Sequence, residues 1–173
     1  MHRVDARIDA YVEQWQSQRA PITSLASAPW IEKIERRAGL KFPKVFLSLV
    51  LRYGFPSLAF QRAELFGNIG DESRDDLAGR LFLDPHLSPW LLERGLLHFA
   101  RRELARYDPI CFDVRAGSPF DAPIVQVDHE DVLCSRDSVH IESVASGLFD
   151  FLDALGEFNG DERWITDPQT SRE

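Results

Sequence analysis

The hydrophobic periodicity of this chain changes near Leu96, and that change constrains the fold more than any other feature. Before Leu96, apolar residues recur mainly at the spacing of amphipathic helices; after it, they form the β-branched and aromatic runs typical of strands. Helical spacing returns for the last element. Helices, then strands, then a helix within 173 residues predict a single α+β domain with a central antiparallel sheet flanked by helices.

Three helices are predicted before residue 55. In the first, Ile8, Tyr11, Val12 and Trp15 follow the i, i+3, i+4, i+7 pattern. The third is apolar on most of its circumference, so we expect it at the centre of the core. The predicted bounds are from near Asp5 to before Pro21, from near Ser27 to Gly39, and from Lys44 to Tyr53, closed by Gly54.

Short strands and two further helices are predicted before Leu96. The strand candidates are Leu58–Phe60 and Ala63–Phe66, and a helix is expected from about Arg74 to Leu83. A second short helix is predicted with Ser88 as its N-cap and Gly95 at its end.

The second half is predicted to form the sheet. Its strands are Leu96–Ala100, Ile110–Val114 and Ile124–His129, and the loop Arg115–Ala122 predicts an antiparallel hairpin between the last two. Alternation along Ile110–Val114 predicts one buried face and one exposed face, which carries Cys111 and Asp113. A final helix follows Ser143. The expected divisions are an N-terminal helical extension (1–22), the α+β domain (23–158) and a tail (159–173).

The charge of the chain is unevenly distributed. The net charge is −8, yet residues 1–60 carry nine basic and five acidic side chains, while residues 108–173 carry four basic and fifteen acidic ones. This balance argues against direct binding of nucleic acid, which needs a basic surface. It permits a basic protein partner through complementary charge, although a solvated acidic face would have the same composition.

Localisation follows from what the sequence lacks. No secretory signal and no apolar run long enough to span a membrane are found, so no membrane association is expected. Cys111 and Cys134 form no CxxC pair or disulfide framework. A cytoplasmic protein with reduced thiols is the expectation.

No motif of catalysis or of cofactor binding is found, so no catalytic residue, metal or cofactor is predicted. The best local cluster is Asp128–Asp131, with Cys134 and His140 downstream. It could form a metal site or a His–Asp base, or it could be a strand end entering a polar turn. A nucleophilic pair of Cys111 and His129 has less support, because strand cysteines are usually core residues.

Three ordered blocks of the sequence resemble the SUKH superfamily, which includes fungal Smi/Knr-type regulators and many bacterial immunity proteins. The first block runs from Ile31 to Gly54 and contains Gly39, Phe42 and Pro43 between two helices. The other blocks are the paired strands in Tyr107–Asp113 and Pro123–Glu130, and the terminal helix Phe149–Leu155.

The resemblance implies an α+β fold and a function in binding rather than catalysis. Bacterial members neutralise secreted polymorphic toxins, often nucleases or deaminases, by forming stoichiometric complexes. We therefore expect a non-enzymatic immunity protein whose acidic surface binds a cognate toxin or another basic protein. Arg115 and Phe120 are further candidates for contact. The predicted partner-binding residues are Asp113, Asp121, Asp128, Glu130 and Asp131.

Two other functions stay open at this point. A regulatory or scaffolding adaptor of the same fold would bind an endogenous protein. An enzyme would be centred on His129 with Asp128 or Asp131. The sequence leaves the oligomeric state undetermined.

Overall fold

Seven helices and eight strands are present in the computed structural model, which describes residues 2–25, 29–69, 76–102, 107–134 and 138–159; both counts refer to these ranges. The helices are α1 (His2–Ser17), α2 (Pro29–Ala38), α3 (Lys44–Val50), α4 (Leu77–Phe82), α5 (Leu87–Glu93), α6 (His129–Cys134) and α7 (Leu148–Ala154). The strands are β1 (Thr23–Ser24), β2 (Tyr53–Gly54), β3 (Leu58–Ala59), β4 (Ala63–Leu65), β5 (Leu96–Arg102), β6 (Pro109–Asp113), β7 (Ile124–Val127) and β8 (Ile141–Ala145).

Six strands form one antiparallel sheet in the order β3-β4-β5-β6-β7-β8, and β1 pairs with β2 separately. Each strand of the larger sheet pairs with its sequence neighbour, although the connection from β4 to β5 contains α4 and α5. The predicted hairpin is present, with Cys111 opposite Val125 and Phe112 opposite Ile124. The predicted α+β class with a central antiparallel sheet is confirmed.

Each face of the sheet packs against its own hydrophobic cluster. Leu97, Phe112 and Ile124 lie opposite one another and belong to the main core, where the rings of Phe99 and Phe112 stack with centroids 4.0 Å apart. On the other face, Cys111 lies in a second cluster formed with α5 and α6. The predicted exposed face of β6 is therefore wrong for Cys111, which is fully buried because these two helices cover it.

Helix α1 packs into the main core. Its predicted apolar stripe is confirmed, since Ile8, Val12 and Trp15 are all buried. The Trp15 ring contacts the Phe60 ring at 5.1 Å between centroids. Arg7 pairs with Asp153 at 2.9 Å. The residues predicted as an N-terminal extension thus share a core with the rest of the chain.

The third helix ends earlier than predicted. Helix α3 stops at Val50, and Tyr53–Gly54 forms β2 rather than a helical end. The buried Asn68 amide organises this turn: its Nδ2 donates to the carbonyls of Val50 (3.1 Å) and Tyr53 (2.7 Å), and its Oδ1 accepts from the Phe55 N–H (2.8 Å). In a longer helix, these carbonyl and N–H groups would form hydrogen bonds within the helix backbone. Here the Asn68 side chain satisfies them instead.

The start of α5 also differs from the prediction. Ser88 is buried inside the helix rather than at its cap. The Oδ1 atom of Asp84 instead accepts from the backbone N–H groups of His86 (2.9 Å) and Leu87 (2.7 Å). Two of the three predicted terminal glycines are confirmed, since Gly39 and Gly95 have φ values of 68° and 76°, the left-handed region that favours glycine; the third, Gly54, lies in β2.

Four elements were not predicted: the short strands β1 and β2, helix α6 and strand β8. His129 begins α6, so the predicted strand Ile124–His129 ends at Val127. The predicted helix starts near Ser27 and Arg74, and the predicted tail beyond Asn159, lie outside the described residues. Within the described part of the chain, no helix combines the length and apolar character needed to cross a bilayer.

Candidate functional site

A cavity of about 480 Å³ lies where α4, α5 and α6 meet β5. Its volume falls within the range of small-molecule sites. A larger cavity, about 830 Å³, lies beside α2 and α3, where Glu35 and Lys41 already form an ion pair at 2.6 Å. The smaller cavity is lined by Gly79, Arg80, Leu83, Asp84, Pro85, Leu87, His98, Tyr107, His129 and Leu133.

His98 of β5 is the buried polar group of this cavity. Its side chain is 5 % exposed. Neither ring nitrogen makes a hydrogen bond of good geometry to a described residue, although backbone groups of Arg80 and Ala100 lie close enough to oppose the lowering of its pKa. The Phe66 ring packs edge-on against it at 4.7 Å between centroids. Burial, and then the positive charge of Arg80, lower the pKa of His98 to about 3. The imidazole is therefore neutral near pH 7 and keeps one N–H donor and one acceptor nitrogen.

The rim of the cavity is apolar and exposed. Leu83, Tyr107 and Leu133 are 52 %, 65 % and 55 % exposed, respectively. Large apolar side chains that surround a partly polar cavity are typical of a binding site.

His129 is held by a carboxylate that sequence reasoning did not select. Its Nδ1 donates to Asp108 Oδ1 at 2.9 Å, and the Gln126 amide donates to Asp108 Oδ2 at 3.2 Å. The Asp131 carboxylate instead accepts from the backbone N–H of His140 at 2.9 Å. The carboxylate bonded to the His129 ring is thus Asp108, because the open end of the β6–β7 hairpin brings residues 108 and 129 together.

Asp108, Asp128 and His129 place one potential metal-ligand atom each within 4.8 Å of one another. The two carboxylates already accept hydrogen bonds from the protein. Asp108 Oδ1 accepts from the ring and backbone of His129, and Asp128 Oδ1 accepts from the Asp131 N–H at 3.1 Å. We therefore assign the cluster to the organisation of the first turn of α6.

The five predicted partner-binding acids lie at opposite ends of β7. At the loop end, Asp113 accepts from the backbone N–H groups of Arg115 and Ala116, and Asp121 accepts from that of Leu148 at the start of α7. At the other end are Asp128, Glu130 and Asp131. About 13 Å of strand separates the two groups, at about 3.3 Å per residue. Of the five, Glu130 is exposed and the other four are half-buried.

The β6–β7 loop also supports a helix. The carbonyls of Pro119 and Phe120 accept from the backbone N–H groups of Lys44 and Val45 at 3.0 Å each, which satisfies donors at the start of α3. The Phe120 ring is 50 % exposed, and Arg115 is exposed. Both remain accessible for contact.

The Cys111 thiol lies within the second cluster and is fully buried. Burial raises its pKa well above the usual range, so the reactive thiolate is disfavoured. The structure pairs the His129 ring with Asp108 rather than with this thiol.

Sequence reasoning did not select His98, Asp108, Tyr107 or Leu133 as site residues. Strand alternation could have placed His98 on the face opposite Leu97. The sequence did not indicate that α5 and α6 together cover that face, because α6 was not predicted. Searches for similarity found no family model that matches the chain and no matching curated protein.

Proposed function

We propose that this chain is a non-enzymatic protein-binding module, an immunity protein that acts in the bacterial cytoplasm. It neutralises a basic cognate toxin by forming a stoichiometric complex. The observation that carries the proposal is the surface of α6 and β8, where exposed apolar side chains lie beside exposed carboxylates.

Strand β8 is an edge strand whose outer side has no paired strand within the described ranges. Its first four residues are exposed, including Ile141 (45 %) and Val144 (39 %). Exposed sheet edges are sites where another chain can dock, and natural proteins usually protect them. We define the α6–β8 surface by Tyr107, Glu130 and Leu133 around α6 and by the exposed edge strand β8, where Ile141 lies on the α6 side of the sheet and Glu142 and Val144 lie on the opposite side.

The charge of this region supports a basic partner. Residues 107–134 and 138–159 contain ten acidic residues and one basic residue, Arg115. Glu130 and Glu142 are exposed and form no ion pair with any described residue. Uncompensated carboxylates around apolar contacts accelerate encounter with a cationic protein and fix its orientation.

The other predicted acids have a different role in this proposal. Asp113, Asp121, Asp128 and Asp131 accept backbone hydrogen bonds, so they shape the loop and the helix ends that border the surface. Apolar side chains at the centre of an interface usually contribute more affinity than charges at its edge. We therefore place the main contacts on Leu133 and Ile141.

The test is co-expression with the C-terminal domain of the large protein encoded immediately upstream. We expect that domain to stop bacterial growth, and this chain to restore growth through an isolable one-to-one complex. A domain that is harmless, or that kills regardless, contradicts the toxin assignment. An endogenous partner captured by the same surface would then identify an adaptor.

Charge reversal locates the interface. We expect Glu130→Lys with Glu142→Lys to slow association and to weaken its dependence on salt. The control is Glu13→Lys with Glu32→Lys, which makes the same change in net charge at exposed positions of α1 and α2. Equal association rates for the two double variants would remove the α6–β8 surface from the interface.

A further inference from the structure

We propose that the outer edge of β8 binds an extended segment of a cationic protein, which adds a seventh strand to the six-stranded sheet. The inference rests on the proposed function, because it specifies how the partner contacts the α6–β8 surface. It also specifies the chemistry of the bound segment, which has apolar side chains on the α6 side of the sheet and lysine or arginine on the opposite side.

The first step of the argument is the direction of the backbone groups of β8. The Asp128 N–H donates to the His140 carbonyl at 3.0 Å, so the backbone of His140 faces β7. Antiparallel pairing alternates along a strand, and the register continues without a shift, so the backbone of Glu142 also faces β7. Ile141 and Ser143 therefore direct their N–H and C=O groups away from β7. Both residues are exposed, and no described strand pairs with this side of β8.

The second step is the contrast with the opposite edge of the sheet, which is covered. Next to β3, Phe60 forms an antiparallel bridge with Phe158, and the Asn159 N–H donates to the Ala59 carbonyl at 2.9 Å. The segment that follows α7 thus pairs with the β3 edge. Natural proteins usually protect sheet edges, and an edge with unpaired backbone groups can accept a strand from another chain.

The third step is the pattern of side chains along β8. Glu142 is exposed on the side of the sheet opposite α6, and Ile141 is exposed on the α6 side. Side chains that face each other on paired strands lie about 5 Å apart, so opposite charges and apolar pairs stabilise the pairing. A segment with a basic residue beside Glu142 and an apolar residue beside Ile141 satisfies both conditions.

The same charge disfavours a second copy of the chain at this edge. If Ile141 of one β8 lies opposite Ser143 of another, the two Glu142 side chains face each other, and like charges at such positions are destabilising. Residues 107–134 and 138–159 contain ten acidic residues and one basic residue, so a dimer at this edge would bring two acidic regions together. A cationic segment reverses the sign of both effects.

Two arginines line the small cavity beside Glu142, but they belong to distant strands. Arg102 is in β5, three strand spacings from β8, which is about 14 Å at about 4.8 Å per spacing. Arg62 precedes β4, which is one strand further away. Among the described residues, no ion pair joins either arginine to Glu142.

The test is a titration of the full chain with a synthetic peptide of alternating lysine and valine, blocked at both ends, followed by NMR of amide hydrogen exchange. We expect saturable binding that slows exchange at Ile141 and Ser143. The Glu142 amide, which faces β7, is the internal reference. Two altered peptides, one with glutamate in place of lysine and one with methylated backbone nitrogens, should bind at least about tenfold more weakly.

Each peptide tests one part of the inference. Equal binding of the methylated peptide would overturn strand addition, and equal binding of the glutamate peptide would overturn the cationic segment. No saturable binding of the lysine–valine peptide would overturn the site. Slow exchange at Ile141 and Ser143 in a concentration-dependent dimer, without peptide, would assign the edge to a second copy instead.

A variant of the chain tests the same edge. Ser143→Pro removes an outward N–H and leaves the bonds to β7 in place, and proline is tolerated on edge strands where its nitrogen faces solvent. We expect peptide binding to weaken at least about tenfold. The matched control, Ser143→Ala, keeps the N–H and should bind as the unmodified chain does. Unchanged affinity in a folded Ser143→Pro variant would contradict the inference, and the methylated peptide tests it without any change to the chain.

The upstream-encoded domain separates this inference from the proposed function. A complex with the unmodified chain and with Ser143→Ala, but not with Ser143→Pro, supports both. A complex that forms equally well with Ser143→Pro overturns strand addition and leaves the immunity function in place. A domain that binds none of the three proteins contradicts the toxin assignment, while the peptide titration still decides the inference.

Discussion

Single buried or half-buried polar residues connect the parts of this protein. Asn68 bonds three backbone groups at the end of α3 and the start of the following segment, and Asp121 joins the β6–β7 loop to α7. His98 is the contrasting case, because it is buried and its ring nitrogens make no hydrogen bond of good geometry to a described residue. That difference gives His98 a measurable effect on stability.

We predict that His98 makes stability depend on pH between about 6.5 and 3. Its pKa is about 3 in the folded chain, against 6.5 for an unperturbed histidine, because burial and Arg80 disfavour the imidazolium. The unfolded chain therefore binds a proton that the folded chain does not. Stability from this residue is complete above pH 6.5 and falls as the pH drops, by up to about 1.4 kcal/mol per pH unit.

Urea unfolding of the unmodified chain and His98→Phe across this pH range tests the prediction. The slope of stability against pH should be shallower in His98→Phe. Replacing the exposed His140 with phenylalanine should leave the slope of the unmodified chain unchanged. Identical slopes for all three proteins would mean that His98 titrates normally in the fold.

At the scale of elements, the ends of helices are satisfied by distant parts of the chain. The first N–H groups of α3 donate to carbonyls of the β6–β7 loop, and the N–H of Leu148 in α7 donates to Asp121. Gly147, which precedes α7, lies so close to the Asp121 carboxylate that a Cβ atom there would clash with it. The loop and the two helices therefore form one structural unit.

We predict that Asp121→Ala lowers the free energy of unfolding by about 1–2 kcal/mol, the usual cost of losing a side chain that caps a helix. The shift of the urea midpoint at pH 7 measures it. Glu130→Ala is the control, because Glu130 is exposed and makes no hydrogen bond to a described residue; its effect should stay within about 0.5 kcal/mol. Equal midpoints for the two variants would remove Asp121 as a cap.

For the whole molecule, the two ends of the described chain meet. Trp15 of α1 contacts Phe60, the Phe60 ring packs against Phe158, and the Phe158 N–H donates to Gln18 at 3.0 Å. The first helix therefore belongs to the same cooperative core as the sheet.

We predict that Trp15→Ala lowers stability by about 3–5 kcal/mol, because it removes a large buried ring. Unfolding should remain a single transition, with circular dichroism and near-ultraviolet signals changing together. Gln14→Ala, at an exposed position of the same helix, should change little. Loss of helical signal in a separate early transition would show that α1 is an extension that unfolds by itself.

The sequence alone determined the elements whose cause is local. The spacing of Ile8, Val12 and Trp15 specifies an amphipathic helix, and Gly39 and Gly95 end helices because their backbone conformation suits glycine. Local connections also made the β6–β7 hairpin predictable. Only the chain's own periodicity and turn residues were needed for these predictions, and for the α+β class.

Tertiary structure decided the features that depend on distant partners. Helix α3 ends at Val50 because Asn68, far along the chain, bonds to the backbone there. Cys111 is buried because α5 and α6 cover its face of the sheet, and the same cover encloses His98. His129 meets Asp108 because the hairpin closes. Periodicity indicates which residues share a face. Whether that face is buried depends on the elements that pack against it, and those elements are brought there only when the chain folds.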